Sequence, residues 1–179
     1  MRKVLYIFGE LADSDIEWMA RTGRRRWVNE GEILIYEGKP VDSVIFLLQG
    51  EFAVSVAGIG EVARLGSGEI VGEMSYVDSA PPSATVTARS RSLTLFVAKR
   101  DLTLKLESDI PFGFRFYRAL AVFLADRLRG TVRRLGYAKT GSLEGDELLE
   151  DELDSGILDN VAKAGDRFHR MLKMLSGAN

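Results

Sequence analysis

The chain has 179 residues, a formal net charge of -2, 46% hydrophobic and 28% charged residues, which is the make-up of an ordinary globular protein with length for one domain plus an appendage. The absence of cysteine excludes disulfides, thiolate metal sites and cysteine nucleophiles, and suits a reducing cytoplasm. No run approaches the ~20 apolar residues of a membrane span, and "MRKVLYIFGELADSD" reaches acids before any small-residue cleavage site, so a soluble cytoplasmic protein without signal peptide or membrane attachment is expected.

The charge is unevenly distributed. Residues 1–140 carry 20 basic and 17 acidic residues, 141–159 carry eight acidic and none basic, and 160–179 carry four basic and one acidic. The acidic block argues against nucleic acid as the main partner, because phosphate contacts need clustered Lys and Arg free of neighbouring carboxylates.

In chain order, "LADSDIEWMARTG" (11–23) places Leu11, Ile16, Met19 and Ala20 at helical spacing with acids early and Gly23 at the end, which predicts a short amphipathic helix. From Gly23 to Gly72 the texture changes: nine of the 18 glycines fall there, and short apolar runs such as "ILIYE", "SVIFLLQ" and "EFAVSVA" lie between Gly-Glu turns. Short strands at this spacing predict an antiparallel sandwich or barrel. After a break at Met74–Asp78, strand character returns over 83–100. "DIPFGFRFYRALAVFLADRLRGTVRRLG" (109–136) is the longest helical pattern, predicted as a helix over about 111–135 with Pro111 in its first turn and Gly136 closing it. Residues 137–156 read as an acidic linker with one helical turn around Leu148 and Leu149, and 157–179 as a last amphipathic helix with Ile157, Val161, Phe168, Met171, Leu172 and Leu175 on one side.

The segment "GEIVGEMSYVDSAPPSATVTA" (68–88) carries the most specific information. With the preceding "GEILIYEGKPVDSVIFLLQGEFAVSV" and the long helix that follows, it resembles the cyclic-nucleotide-binding domain of the catabolite activator protein and of kinase regulatory subunits, over about residues 8–135. The resemblance implies a mainly β fold, a double-stranded β-helix or jelly-roll barrel flanked by N- and C-terminal helices. It also implies that this segment is a phosphate-binding cassette, with Gly72, Glu73, Met74, Ser75, Pro82, Ser83, Ala84 and Thr85 at the ligand. Gly72 would admit close backbone approach, Met74 and Ser75 would open a short helix whose free N–H groups attract an anion, Glu73 would accept from a ribose hydroxyl, and Ser83 would donate to a phosphate oxygen. Cyclic AMP or cyclic GMP is the ligand so implied, and no other cofactor and no metal is expected.

The departure from the family is at Pro82, where ligand-binding members have an arginine that forks onto the phosphate; "SAPPSA" offers none nearby. Losing such a bond, worth about 1.5–3 kcal/mol, or leaving a buried charge unpartnered, at about 3–5 kcal/mol, would weaken binding by roughly 10²- to 10³-fold. Arg64 and Arg89, on the strands before and after the cassette, are the candidates to replace it, against a reading as ordinary solvated charges.

Catalysis has few parts to work with. The one histidine, His169, sits between Arg167 and Arg170, a second histidine and a cysteine are lacking for triads or common zinc sites, and "GSGEIVGE" lacks the Gly-Lys-Ser/Thr of a P-loop. The cluster Arg24, Arg25 and Arg26 would alternate across a strand and protect a sheet edge. For the long helix, a two-fold dimer seam of Phe116, Tyr117, Leu120, Phe123, Leu124 and Leu128 is preferred over burial within the monomer.

Three functions stand open on this reading. The first is a non-enzymatic regulatory or sensory protein that binds a cyclic nucleotide weakly, or another anionic ligand, and signals through a dimerising helix as a homodimer. The second is a ligand-free protein–protein interaction module acting through residues 141–179, and the third a transcription regulator lacking its DNA-binding module.

Overall fold

The computed structural model describes residues 4–140 and 155–176. Two short helices, α1 (Val4–Glu10) and α2 (Asp13–Thr22), precede five strands, β1 (Arg24–Val28), β2 (Ile33–Ile35), β3 (Ser43–Gln49), β4 (Glu51–Val56) and β5 (Gly60–Gly66). Then come β6 (Ile70–Val71), α3 (Met74–Val77), β7 (Thr85–Ala88), β8 (Ser92–Ala98), α4 (Lys99–Ser108), α5 (Ile110–Thr140) and α6 (Ser155–Ser176). Helices α1 and α4 go beyond the expected elements: α1 lies in the apolar run before Leu11, and α4 begins where strand character had been read through Arg100. The helical turn expected around Leu148 and Leu149 lies outside the described residues.

The strands form two antiparallel four-stranded sheets, in the orders β1-β8-β3-β6 and β2-β7-β4-β5. Apart from the β4-β5 hairpin, consecutive strands sit in different sheets, the jelly-roll arrangement that the family resemblance implied. Between the sheets lies a core of Val28, Ile35, Ile45, Leu47, Phe52, Leu65, Val71 and Val86. The other face of the first sheet packs under the helices through Val44, Phe46, Leu48, Leu95 and Val97. This is why "SVIFLLQ" is continuously apolar rather than alternating: β3 has a hydrophobic neighbour on each face, and its side chains divide by parity between two cores.

Strand β1 is an edge of its sheet, as the arginine cluster suggested. Arg24 and Arg26 lie over the Phe96 ring, while Arg25 reaches the opposite side and donates to the Leu175 carbonyl of α6.

The long helix takes its position from its own N-terminus. Asp109 Oδ1 accepts from the Phe112 N–H at 2.9 Å, capping the first turn of α5. From there Phe112, Phe116, Ala119, Leu120 and Phe123, all at most 2% exposed, enter the helix-side core. Arg115 forks onto Asp15 of α2 at 2.7 and 2.9 Å, fixing the rotation of α5 about its axis. Phe116, Leu120 and Phe123 are therefore core residues of the monomer and do not face outward as a dimer seam would require. The exposed stripe of α5 is the neighbouring one: Ile110, Phe114, Tyr117, Leu128 and Val132, with Leu124 half-buried.

The tail helix folds back on the N-terminus. Ala164, Met171 and Leu175 of α6 are buried, Phe168 meets Phe8 edge-on at 5.6 Å, and Arg167 donates to the Phe8 and Gly9 carbonyls at 3.1 and 2.9 Å. Those carbonyls end α1 and lack partners within the helix, so α6 completes the helix as well as covering it. Arg167 and Arg170 also pair with Asp13 at 2.9 and 2.6 Å.

Candidate ligand-binding site

The site is formed where the cassette segment leaves the barrel. Gly72 holds φ +83°, and a Cβ there would stand 2.7 Å from the Ser43 carbonyl oxygen. Only glycine meets both demands, so the close approach for which Gly72 is needed is to β3 of its own barrel. The backbone then turns into α3, with Glu73 at its N-cap.

A cavity of about 220 Å³ opens beside this turn. Gly72, Glu73, Met74, Ser75, Pro82, Ser83 and Ala84 line it together with the apolar Ile35, Val54, Val71 and Val86. Thr85 is not in the lining; its hydroxyl accepts from the Glu37 N–H at 3.1 Å. The peptide bonds of Pro81 and Pro82 are trans, and the Pro82 carbonyl accepts from the Gly38 N–H at 2.8 Å.

Neither arginine proposed from sequence as a replacement cation reaches the cavity. Arg64 and Arg89 both pair with Glu61 at 2.7 Å on the exposed side of their sheet, where strand pairing puts them within reach of one acceptor. Among the described residues, the cation that lines the cavity is Arg127 of α5. It lies over the Phe123 ring at 5.1 Å and ion-pairs with the Glu73 carboxylate, which is 2% exposed. No local pattern marks Arg127, since 54 residues separate it from Glu73 and only the packing of α5 on the barrel brings them together. Burial pushes the Glu73 carboxyl above its ordinary value, while the Arg127 charge and the N–H groups of Glu73 and Met74 pull the other way.

A second contact ties the cassette to the helices. Tyr76 of α3 stands edge-on to Phe116 of α5 at 6.3 Å, and its hydroxyl is 3.1 Å from that of Thr103 in α4. The cassette helix is thus held to α5 at both ends, by an ion pair at Glu73 and a ring contact at Tyr76. Among the described residues, no group of three or more His, Asp or Glu side chains is placed to hold a metal ion.

This architecture, two antiparallel sheets with a turn-and-helix segment under a long helix, is the jelly-roll fold that the resemblance implied. Residues 25–109 match the family model described as Cyclic nucleotide-binding domain, a kind of domain that regulates rather than catalyses. An uncharacterized NTE family protein of Mycobacterium bovis is 32% identical over 130 residues, covering 72% of this chain and 22% of that protein. The chain therefore spans about a fifth of the length of that curated relative. Among solved structures, a cyclic nucleotide-binding domain from Methylobacillus flagellatus superposes with a TM-score of 0.68 at 24% identity, over 74% of this chain and 80% of that one. The catabolite activator protein of Thermus thermophilus superposes with a TM-score of 0.61 at 21% identity, over 96% of this chain and 86% of that one. No described helix is long and apolar enough to cross a membrane.

Proposed function

We propose that this chain is a non-enzymatic, ligand-responsive regulatory module in which occupancy of the cassette cavity is read out through α5. The observation that carries the reading is the Glu73–Arg127 ion pair, because it joins the ligand-facing wall to the helix that leaves the barrel. A ligand that engages either partner changes the restraint on α5, and so biases its position or that of whatever α5 contacts.

The output surface is the exposed stripe Ile110, Phe114, Tyr117, Leu128 and Val132, whose steps of four, three, eleven and four residues keep to one side of the helix and suit a two-fold seam between copies of the chain. Tyr117, Leu124 and Leu128 of the seam expected from sequence remain in this role. A free tail as a handle for another protein has less support, since the buried residues of α6 are engaged on α1 and α2.

The test is isothermal titration with cyclic AMP, cyclic GMP and their uncharged nucleosides, beside a Glu73→Ala control. Saturable binding that the control loses is the expected result, with the cyclic nucleotides weakened by the absence of an arginine at position 82. Silence from all four compounds up to millimolar concentration would contradict the reading.

A further inference from the structure

The cation described in the cavity lining is already paired with a carboxylate of the same lining. Among the described residues the cavity's ionisable lining is Glu73, Asp78 and Arg127, one cation against two carboxylates. The Arg127 guanidinium is committed to Glu73, the more deeply buried of the pair. The nearby N–H groups of Glu73 and Met74 also favour the ionised form of the same carboxylate. Across the opening, Pro81 and Pro82 have no N–H to offer. An incoming phosphate would therefore place a second anion beside a buried carboxylate whose one cationic partner already neutralises it, and like charges at that distance repel.

We infer that the cavity takes an uncharged ligand, a small molecule with an apolar body and a hydroxyl-bearing edge, in preference to a phosphate-bearing one. This rests on the reading of the cavity as a ligand site. An ionised carboxylate has about four acceptor positions and a guanidinium five N–H donors, so a vicinal hydroxyl pair can add to the Glu73–Arg127 bond without breaking it. The Ser75 and Ser83 side chains stand in the same lining, together with the apolar Val54 and Val86.

Adenosine and cyclic AMP make a matched pair of probes, differing chiefly by the cyclic phosphate. Titrated into the full chain at neutral pH and about 0.15 M salt, adenosine is expected to bind at least tenfold tighter than cyclic AMP. Pro82→Arg, which places a cation at the half-exposed loop without touching either core, is expected to reverse that order. Tighter binding of cyclic AMP by the unsubstituted chain would overturn the inference and leave the ligand-site reading standing. Failure of both probes with the unsubstituted chain, but capture of cyclic AMP by Pro82→Arg, would also overturn the inference while keeping the cavity as a ligand site. Failure of both probes with both proteins would overturn the inference and that reading together.

Discussion

Arg127 of α5 and Glu73 of the cassette form an ion pair across the mouth of the cavity, with the carboxylate 2% and the guanidinium side chain 26% exposed. One partner lies on the barrel and the other on the helix that leaves it. The pair is thus both a structural tie and part of the ligand-facing surface, and the two roles separate experimentally.

As a tie, the pair is tested by Arg127→Met, which keeps the apolar stem over Phe123 and removes the charge. At neutral pH the substitution leaves a buried carboxylate without its partner, and a loss of about 3 kcal/mol is expected, the low end for breaking a buried pair because the arginine is partly solvated. The Glu73 carboxyl, already raised by burial, rises further without Arg127. Its penalty is then absent below the ordinary value of 4.5 and grows as pH climbs through the raised folded value. Urea unfolding of both proteins across pH should show the difference shrinking toward acid; a difference independent of pH would contradict this assignment.

The tail helix obeys the opposite sign. The Arg167 hydrogen bond to Asp13, aided by the charges of Arg167 and Arg170, holds the Asp13 carboxyl below its ordinary 3.8. The stability this adds is present above pH 3.8 and is lost as pH falls through the lower folded value. Asp13→Asn should lack this acid-side transition in the attachment of α6, followed by proteolysis of the tail or by amide exchange in α1.

Met171 tests the apolar part of the same attachment. Fully buried, its truncation to Ala should cost about 2–4 kcal/mol, expressed as faster amide exchange in α1 and α6 while the barrel strands keep their protection. Uniform loss of protection throughout the chain would show instead that α6 and the barrel unfold as one unit.

The two faces of α5 should respond oppositely. Phe116→Ala empties a site that is 0% exposed and should cost about 3–5 kcal/mol. Phe114→Glu alters a side chain that is 68% exposed, and should change monomer stability by within about 0.5 kcal/mol while converting a dimer to monomers by light scattering. Retention of the dimer in both Phe114→Glu and Leu128→Glu would move the interface elsewhere.

Much of this was readable from the residues alone. The Gly-Glu turns and apolar runs mark the strands because turn chemistry is local, and the cassette residues between Gly72 and Ala84 fall together because they lie close in sequence. The rotation of α5 was not readable. Its aromatic residues cover two adjacent stripes, and only the fork from Arg115 to Asp15 and the packing of Phe112 decide which stripe goes inward. Arg64 and Arg89 illustrate the same limit: strand parity does not reveal that Glu61 waits between them. Arg127, far from the cassette in sequence, carries no local mark of its place in the cavity. The docking of α6 on α1 depends on a partner more than 150 residues distant.

The most direct test of coupling between cavity and helix is amide exchange of the full chain with and without saturating adenosine. Changed protection is expected in α3 and, together with it, across α5 from Ile110 to Val132, and both changes should disappear in Arg127→Met. Protection of the cassette with α5 unaffected would contradict a readout through the long helix.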